Sequence, residues 1–176
     1  AMVYMLPLAI GTATAALVGQ ADGATDARGA EAVARSAFRL AGIGALLLGL
    51  LLWVFREPLA ALGSPDPAVQ VVAVGLIGYV AAYQVSDALQ TIAGFALRGY
   101  HVTLVPLGVH LASFWLFGLG GGYWLAFEGL STVGLAPMGA AGFWCAALIA
   151  TLVAALGLCG LLLWVQSVRR RDRSVA

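Results

Sequence analysis

Tyr83-Gln84-Val85-Ser86-Asp87-Ala88-Leu89-Gln90-Thr91-Ile92-Ala93-Gly94 lies inside an apolar run from Ala68 to Leu97 in which Asp87 is the charged residue. A carboxylate at the middle of a bilayer-spanning helix costs at least about 2.5 kcal/mol, so it is retained where it faces a protein interior or a wet cavity and acts there. Asp87 therefore points to transport.

The rest of the chain supplies the membrane setting. Hydrophobic residues make up 62% of the sequence and charged ones 10%, with a mean hydropathy of +0.97. Soluble domains run at about 45–50% apolar and about 25% charged. Five runs approach the roughly 20 residues that a helix needs to cross about 30 Å of hydrocarbon. They are Met2–Gln20, Ser36–Phe55, Ala68–Leu97, Thr103–Ala126 and Gly139–Gln166. The second is the weakest, because Arg39 has to snorkel to an interface. Alternation at period two is absent, against a porin-like barrel. The fold class is an all-α polytopic membrane protein of about five transmembrane helices, followed by a basic tail over residues 169–176.

Punctuation between the spans agrees with this map. Gly63-Ser64-Pro65-Asp66-Pro67 reads as a tight turn whose prolines end one helix and start the next, and Ala136-Pro137-Met138-Gly139 does the same before the last span. Gly118-Leu119-Gly120-Gly121-Gly122 falls inside the fourth span, where it permits close helix contact or a break in the helix. The aromatic belt accounts for most of Trp115, Trp124, Phe127, Trp144 and Trp164 near span ends.

Enzymatic chemistry has no visible carrier. No His and Cys set has metal-site spacing, no glycine-rich phosphate loop follows a strand, and no Ser, His and acid trio stands in motif context. Cys145 and Cys159 lie on one predicted helix, about 21 Å apart along its axis, too far for a mutual disulfide. A net charge of +1 offers no nucleic-acid face. No cofactor is implied.

On the third span the residues that share a face with Asp87 are Tyr83, Gln84, Gln90 and Thr91, with Gly94 a turn beyond. All four carry a side-chain oxygen. Such a stripe can hydrate a cation or hold a carboxylic acid neutral, whereas Val80, Val85, Leu89 and Ala96 on the other face can meet lipid or other helices. Interhelical hydrogen bonding that merely holds the bundle together is the plain alternative. An ionisable group is a costly way to make glue, which favours function.

At this point a family resemblance emerges. Asp87-Ala88-Leu89-Gln90, Gly94-Phe95-Ala96-Leu97-Arg98-Gly99-Tyr100 and Val102-Thr103-Leu104-Val105-Pro106 resemble the tenth membrane helix and following loop of multidrug and toxic compound extrusion (MATE) transporters. The Arg-Gly-Tyr loop with His110, Phe114-Trp115 and Gly122-Tyr123-Trp124 is similar to the NorM-like branch. Tyr4-Met5-Leu6-Pro7, Val18-Gly19-Gln20 and Gly23-Ala24 resemble the eighth helix and its exit, and Gly139-Ala140-Ala141-Gly142-Phe143-Trp144 resembles the start of the twelfth.

The resemblance implies an antiporter of twelve helices in two lobes, exporting amphipathic or cationic drugs across the bacterial inner membrane in exchange for sodium ions or protons. This chain would supply helices eight to twelve of the C-terminal lobe. Its partners would be the lipid bilayer, the drugs and the N-terminal lobe of the same transporter. That lobe and the seventh helix, with the glutamate that shares the cation site, fall outside these residues, and a start at Ala1-Met2 reads as part of a longer product. Asp87 matches the family's cation-binding aspartate, and Tyr4 an aromatic hydroxyl beside it. Asp66 falls where some members place an acid near the mouth of the substrate cavity. The usual Gly-Asp-Thr of the cytoplasmic loop is His101-Val102-Thr103 here, without a carboxylate.

Sodium at Asp87 and a proton on Asp87 are both compatible with the stripe. His110 reads first as a packing histidine and second as a proton relay. Arg98 reads as a lipid-phosphate anchor ahead of a gating partner. A lipid-linked oligosaccharide flippase of the same superfamily is the alternative transport reading, although its cavity calls for more basic side chains. A non-transporting membrane fragment is the alternative outside transport.

Orientation follows from arginine, since the chain has no lysine. With alternating spans one side receives Arg28, Arg35, Arg39, Arg98, Arg169, Arg170, Arg171 and Arg173, and the other only Arg56. Basic short loops stay cytoplasmic, which puts the C-terminus inside. With Cys145 and Cys159 replaced, a cysteine at Ser64 should react with an impermeant thiol reagent on intact cells, and one at Ser174 only after permeabilisation. The reverse pattern would show that the span count is wrong.

Overall fold

A computed structural model describes residues 4–129 and 136–175. The expected start of the first span at Met2 and the middle of the connection before the last span lie outside the described residues. Six helices follow in order: α1 (Met5–Gly23), α2 (Ala27–Val54), α3 (Arg56–Gly63), α4 (Pro67–Gly99), α5 (Leu104–Glu128) and α6 (Ala140–Val175). No strand occurs among the described residues. Four of the helices, α2, α4, α5 and α6, are long and apolar enough to cross a membrane.

Local chemistry sets the boundaries. Asp26 caps α2, its Oδ1 accepting the Gly29 amide at 2.8 Å, so this helix begins at Ala27, well before Ser36. Asp66 caps α4 by accepting the Ala68 amide at 2.9 Å, with Pro67 in the first turn where its missing N–H is harmless. At the other end of α4, His101 adopts φ 61°, the left-handed turn that reverses the chain into α5. The segment between α2 and the Ser64 turn is not all loop, because α3 forms there, with the Arg56 guanidinium 4.2 Å from the Trp53 ring centre.

Helix α4 is the centre of the bundle, packing against α1, α2, α3 and α6. From Ala88 to Leu97 its faces are buried almost all round, so Ala96 meets other helices and not lipid. The partners present small side chains. The buried face of α2 is Ala30, Ala34, Ala37, Ala41, Ala45 and Gly49. Such seams let backbones approach where lipid tails remove the hydrophobic drive for association. A Cβ on Gly49 would sit 2.8 Å from the Ala81 carbonyl oxygen of α4, and one on Gly99 would sit 2.8 Å from the Ala15 oxygen of α1.

The glycine cluster of the fourth span does not break its helix. Residues Ser113–Gly120 and Trp124–Glu128 are wound as π-helix, and α5 continues through them. Gly118 approaches Ala150, and Gly122 approaches Phe143 and Ala146, which makes the cluster a close seam with α6.

The last helix runs on through Val175, so the arginines expected in a basic tail stand on a helical extension. Arg170 forms a two-pronged ion pair with Glu31 of α2, Nε to Oε1 at 3.1 Å together with Nη2 to Oε2. Arg169 Nη2 lies 3.6 Å from Oδ2 of Asp22 on α1, a side chain only 8% exposed. Both pairs join the end of α6 to the α1–α2 turn, at one end of the bundle.

The Gly49 seam is checkable. Gly49→Ala meets backbone and not a movable side chain, and should destabilise the bundle by about 1–3 kcal/mol. Gly42→Ala meets nothing within 4 Å and should be neutral or slightly stabilising. Thermal unfolding in detergent compares the two, and equal midpoints would show that α2 and α4 are not in backbone contact.

Candidate functional site

The site is assembled on α4, because three turns of that helix point the same way. Asp87, Gln90, Thr91 and Gly94 line a cavity of about 260 Å³, joined by Tyr83 one turn before and by Phe95 and Arg98 after. Tyr4, at the head of α1, and His110 and Phe114, from α5, close it. Asp87 is the one carboxylate among these lining residues.

Contacts around the carboxylate are short. Gln90 Nε2 donates to Asp87 Oδ1 at 3.0 Å, and the Tyr83 hydroxyl also reaches the carboxylate. Both are ordinary i+3 and i−4 neighbours on a helix. Thr91 is 8% exposed and faces the same space.

His110 is held by its own helix, its Nδ1 lying 2.9 Å from the Pro106 carbonyl oxygen. A carbonyl only accepts, so Nδ1 is the donor in this contact. The ring also stacks on Phe114, centroids 6.1 Å apart and planes within 4°. The ring packs beside Gly94 of α4, where a Cβ would lie 3.7 Å from His110 Cε1, an ordinary contact distance. His110 is thus both a packed histidine and a lining residue of the cavity. Arg98 places its guanidinium 4.8 Å from the Phe95 ring centre.

Two residues of the expected set lie elsewhere. Gln84 is buried with Nε2 donating to the Val80 carbonyl oxygen of its own helix, and its Cβ sits beside Gly49 of α2. Asp66 is about 30 Å from Asp87 along α4, judged by helical rise, and caps that helix. Sequence reading also did not find Phe95 and Phe114 as walls. Their signal was the spacing of Gly94 against Pro106, His110 and Phe114, which share one face of α5 at four-residue intervals.

Comparison with known proteins agrees with this architecture. The sequence profile of the MatE family matches residues 1–124. The chain is 48% identical over 175 residues to the probable multidrug resistance protein NorM of Aromatoleum aromaticum, covering 99% of this chain and 37% of that protein. It is 40% identical over 163 residues to the multidrug resistance protein PmpM of Pseudomonas aeruginosa, covering 90% of this chain and 33% of that protein. The fold superposes on the eukaryotic MATE transporter AtDTX14 with a TM-score of 0.81 at 22% identity, over 98% of this chain and 37% of that one. The chain therefore spans about a third of the length of the relatives it matches. With helices long and apolar enough to cross a bilayer and these likenesses together, the chain is a multi-pass membrane protein and belongs to the MatE family.

Proposed function

We propose that the chain forms the cation-coupling part of a multidrug exporter, in which Asp87 binds sodium or a proton and that binding drives export of amphipathic or cationic drugs. The observation that carries this reading is a single carboxylate in a cavity lined by amide and hydroxyl groups, between two helices of membrane-crossing length, α4 and α5, and the head of α1. The names of the related proteins, multidrug resistance proteins, supply the class of cargo.

The donor set suits a hard cation such as sodium, or a proton. The surrounding oxygens of Tyr83, Thr91 and Gln90 are hard donors of the kind sodium accepts, and they also hydrogen-bond a protonated carboxyl. Tyr4 adds a hydroxyl from a second helix, so the ligand set depends on how α1 stands against α4. Binding can then favour one of two helix arrangements, the condition for coupling an ion to a drug. Orientation with the α6 end in the cytoplasm of a bacterial cell completes the reading, supported by the arginine bias.

Asp87→Asn separates charge from packing, because the amide keeps size and hydrogen-bonding capacity. In the full-length transporter the variant should insert and accumulate normally while cation-driven export falls to near background. Tyr4→Phe should do less harm, on the order of 1 kcal/mol for one hydrogen bond. Export is measured in vesicles under an imposed sodium or proton gradient. Parent-rate export by Asp87→Asn under both gradients would reduce the site to interhelical glue.

A further inference from the structure

The two ends of the Gln90 amide are treated differently. Nε2 donates to Asp87 Oδ1 at 3.0 Å, while Oε1 is shut off from solvent and accepts no hydrogen bond among the described residues. The side chain as a whole is only 5% exposed. Buried acceptors in folded proteins are nearly always satisfied, because leaving one without a partner forfeits the hydrogen bond it made with water. Turning the amide over does not help while Asp87 is ionised, since Oε1 would then face the oxygens of a carboxylate. The acceptor is therefore left over as long as Nε2 serves the carboxylate.

Loading Asp87 reverses which end of the amide it favours. A hard monovalent cation on the carboxylate gives Oε1 a positive centre to coordinate once the amide turns. A proton on the carboxyl gives it an O–H donor, with the proton remaining on Asp87. Either way Oε1 gains a partner that the bare carboxylate cannot give it. The other titratable or charged groups that face this space are Tyr4 from α1, Tyr83 and Arg98 from α4, and His110 from α5. Two of these are already engaged, His110 Nδ1 with Pro106 and Arg98 with the Phe95 ring.

We propose that Gln90 Oε1 is the ligand that the coupling cation recruits on binding to Asp87, so that Gln90 sets the affinity for that ion and does not merely hold the helix. This rests on the reading of Asp87 as the cation site, and the experiment separates the two. In the full-length transporter reconstituted in vesicles, the half-saturating cation concentration for export is measured in two arms, sodium at fixed pH and protons without sodium. Gln90→Leu removes the oxygen. It should raise the half-saturating concentration of whichever ion drives export by about tenfold or more, the effect of losing one well-placed ligand, with the maximal rate largely kept.

Gln90→Glu keeps an oxygen at the same reach and adds negative charge, and should lower that concentration below the parent's. It remains informative should Gln90→Leu fail to accumulate in the membrane. Parent-like half-saturation in Gln90→Leu, or a parent-like or higher value in Gln90→Glu, with Asp87→Asn inactive, would overturn the role of Gln90 and leave the cation site standing. Parent-rate export by Asp87→Asn would overturn both.

Discussion

Keeping one carboxylate inside an apolar bundle is the constraint from which most of this structure follows. Asp87 has to be surrounded by groups that can donate to it or share a cation with it, and in a membrane those groups must come from protein. Two are supplied locally by Tyr83 and Gln90, and the helix that carries them must then be enclosed. Hence α4 is central, in contact with α1, α2, α3 and α6, and buried on nearly every face from Ala88 to Leu97. Enclosure in turn demands small side chains on the neighbours, which explains the alanine face of α2 and the glycines at 49 and 99, where a methyl group would strike backbone.

The bundle is fastened unevenly along its length. Toward the arginine-rich end, α1 meets α4 backbone to backbone at Gly99, and the ion pairs of Arg169 and Arg170 tie α6 to Asp22 and Glu31. A buried hydrogen bond of 2.9 Å between Ser86 and Thr151 joins α4 to α6 near the level of the site. Toward the other end of α1 the contacts are side chain against glycine: Phe95 of α4 fills the space beside Gly11, and Leu6 fills that beside Gly44 of α2. The cavity therefore takes its carboxylate from the central helix and one of its hydroxyls from a neighbour.

Much of this was legible in the sequence because helix chemistry is local. The stripe of Tyr83, Asp87, Gln90 and Thr91 is a statement about 3.6 residues per turn, and the cavity contains all four. The turn at Asp66-Pro67 was legible for the same reason. What escaped was set by contacts between distant segments. Gln84 carries a polar end and the right spacing, yet a glycine at position 49 of another helix draws its stem into a packing seam. The partners of Arg169 and Arg170 lie more than a hundred positions earlier in the chain, and no periodicity joins them. The π-helical winding of α5 was equally hidden, since a glycine cluster is compatible with a break, a seam or a wide turn until the opposing Phe143 and Ala146 are known.

His110 and Arg98 line the same cavity, and each has a local partner: the Pro106 carbonyl oxygen for one and the Phe95 ring for the other. Asp87 is different, because its amide partner gains a contact at one end and is left without one at the other. A network that is incomplete at a single buried atom is poorly suited to gluing helices, for which a fully satisfied arrangement costs less. It suits the role proposed for Asp87, in which a ligand is offered to an ion in one arrangement and withdrawn in another.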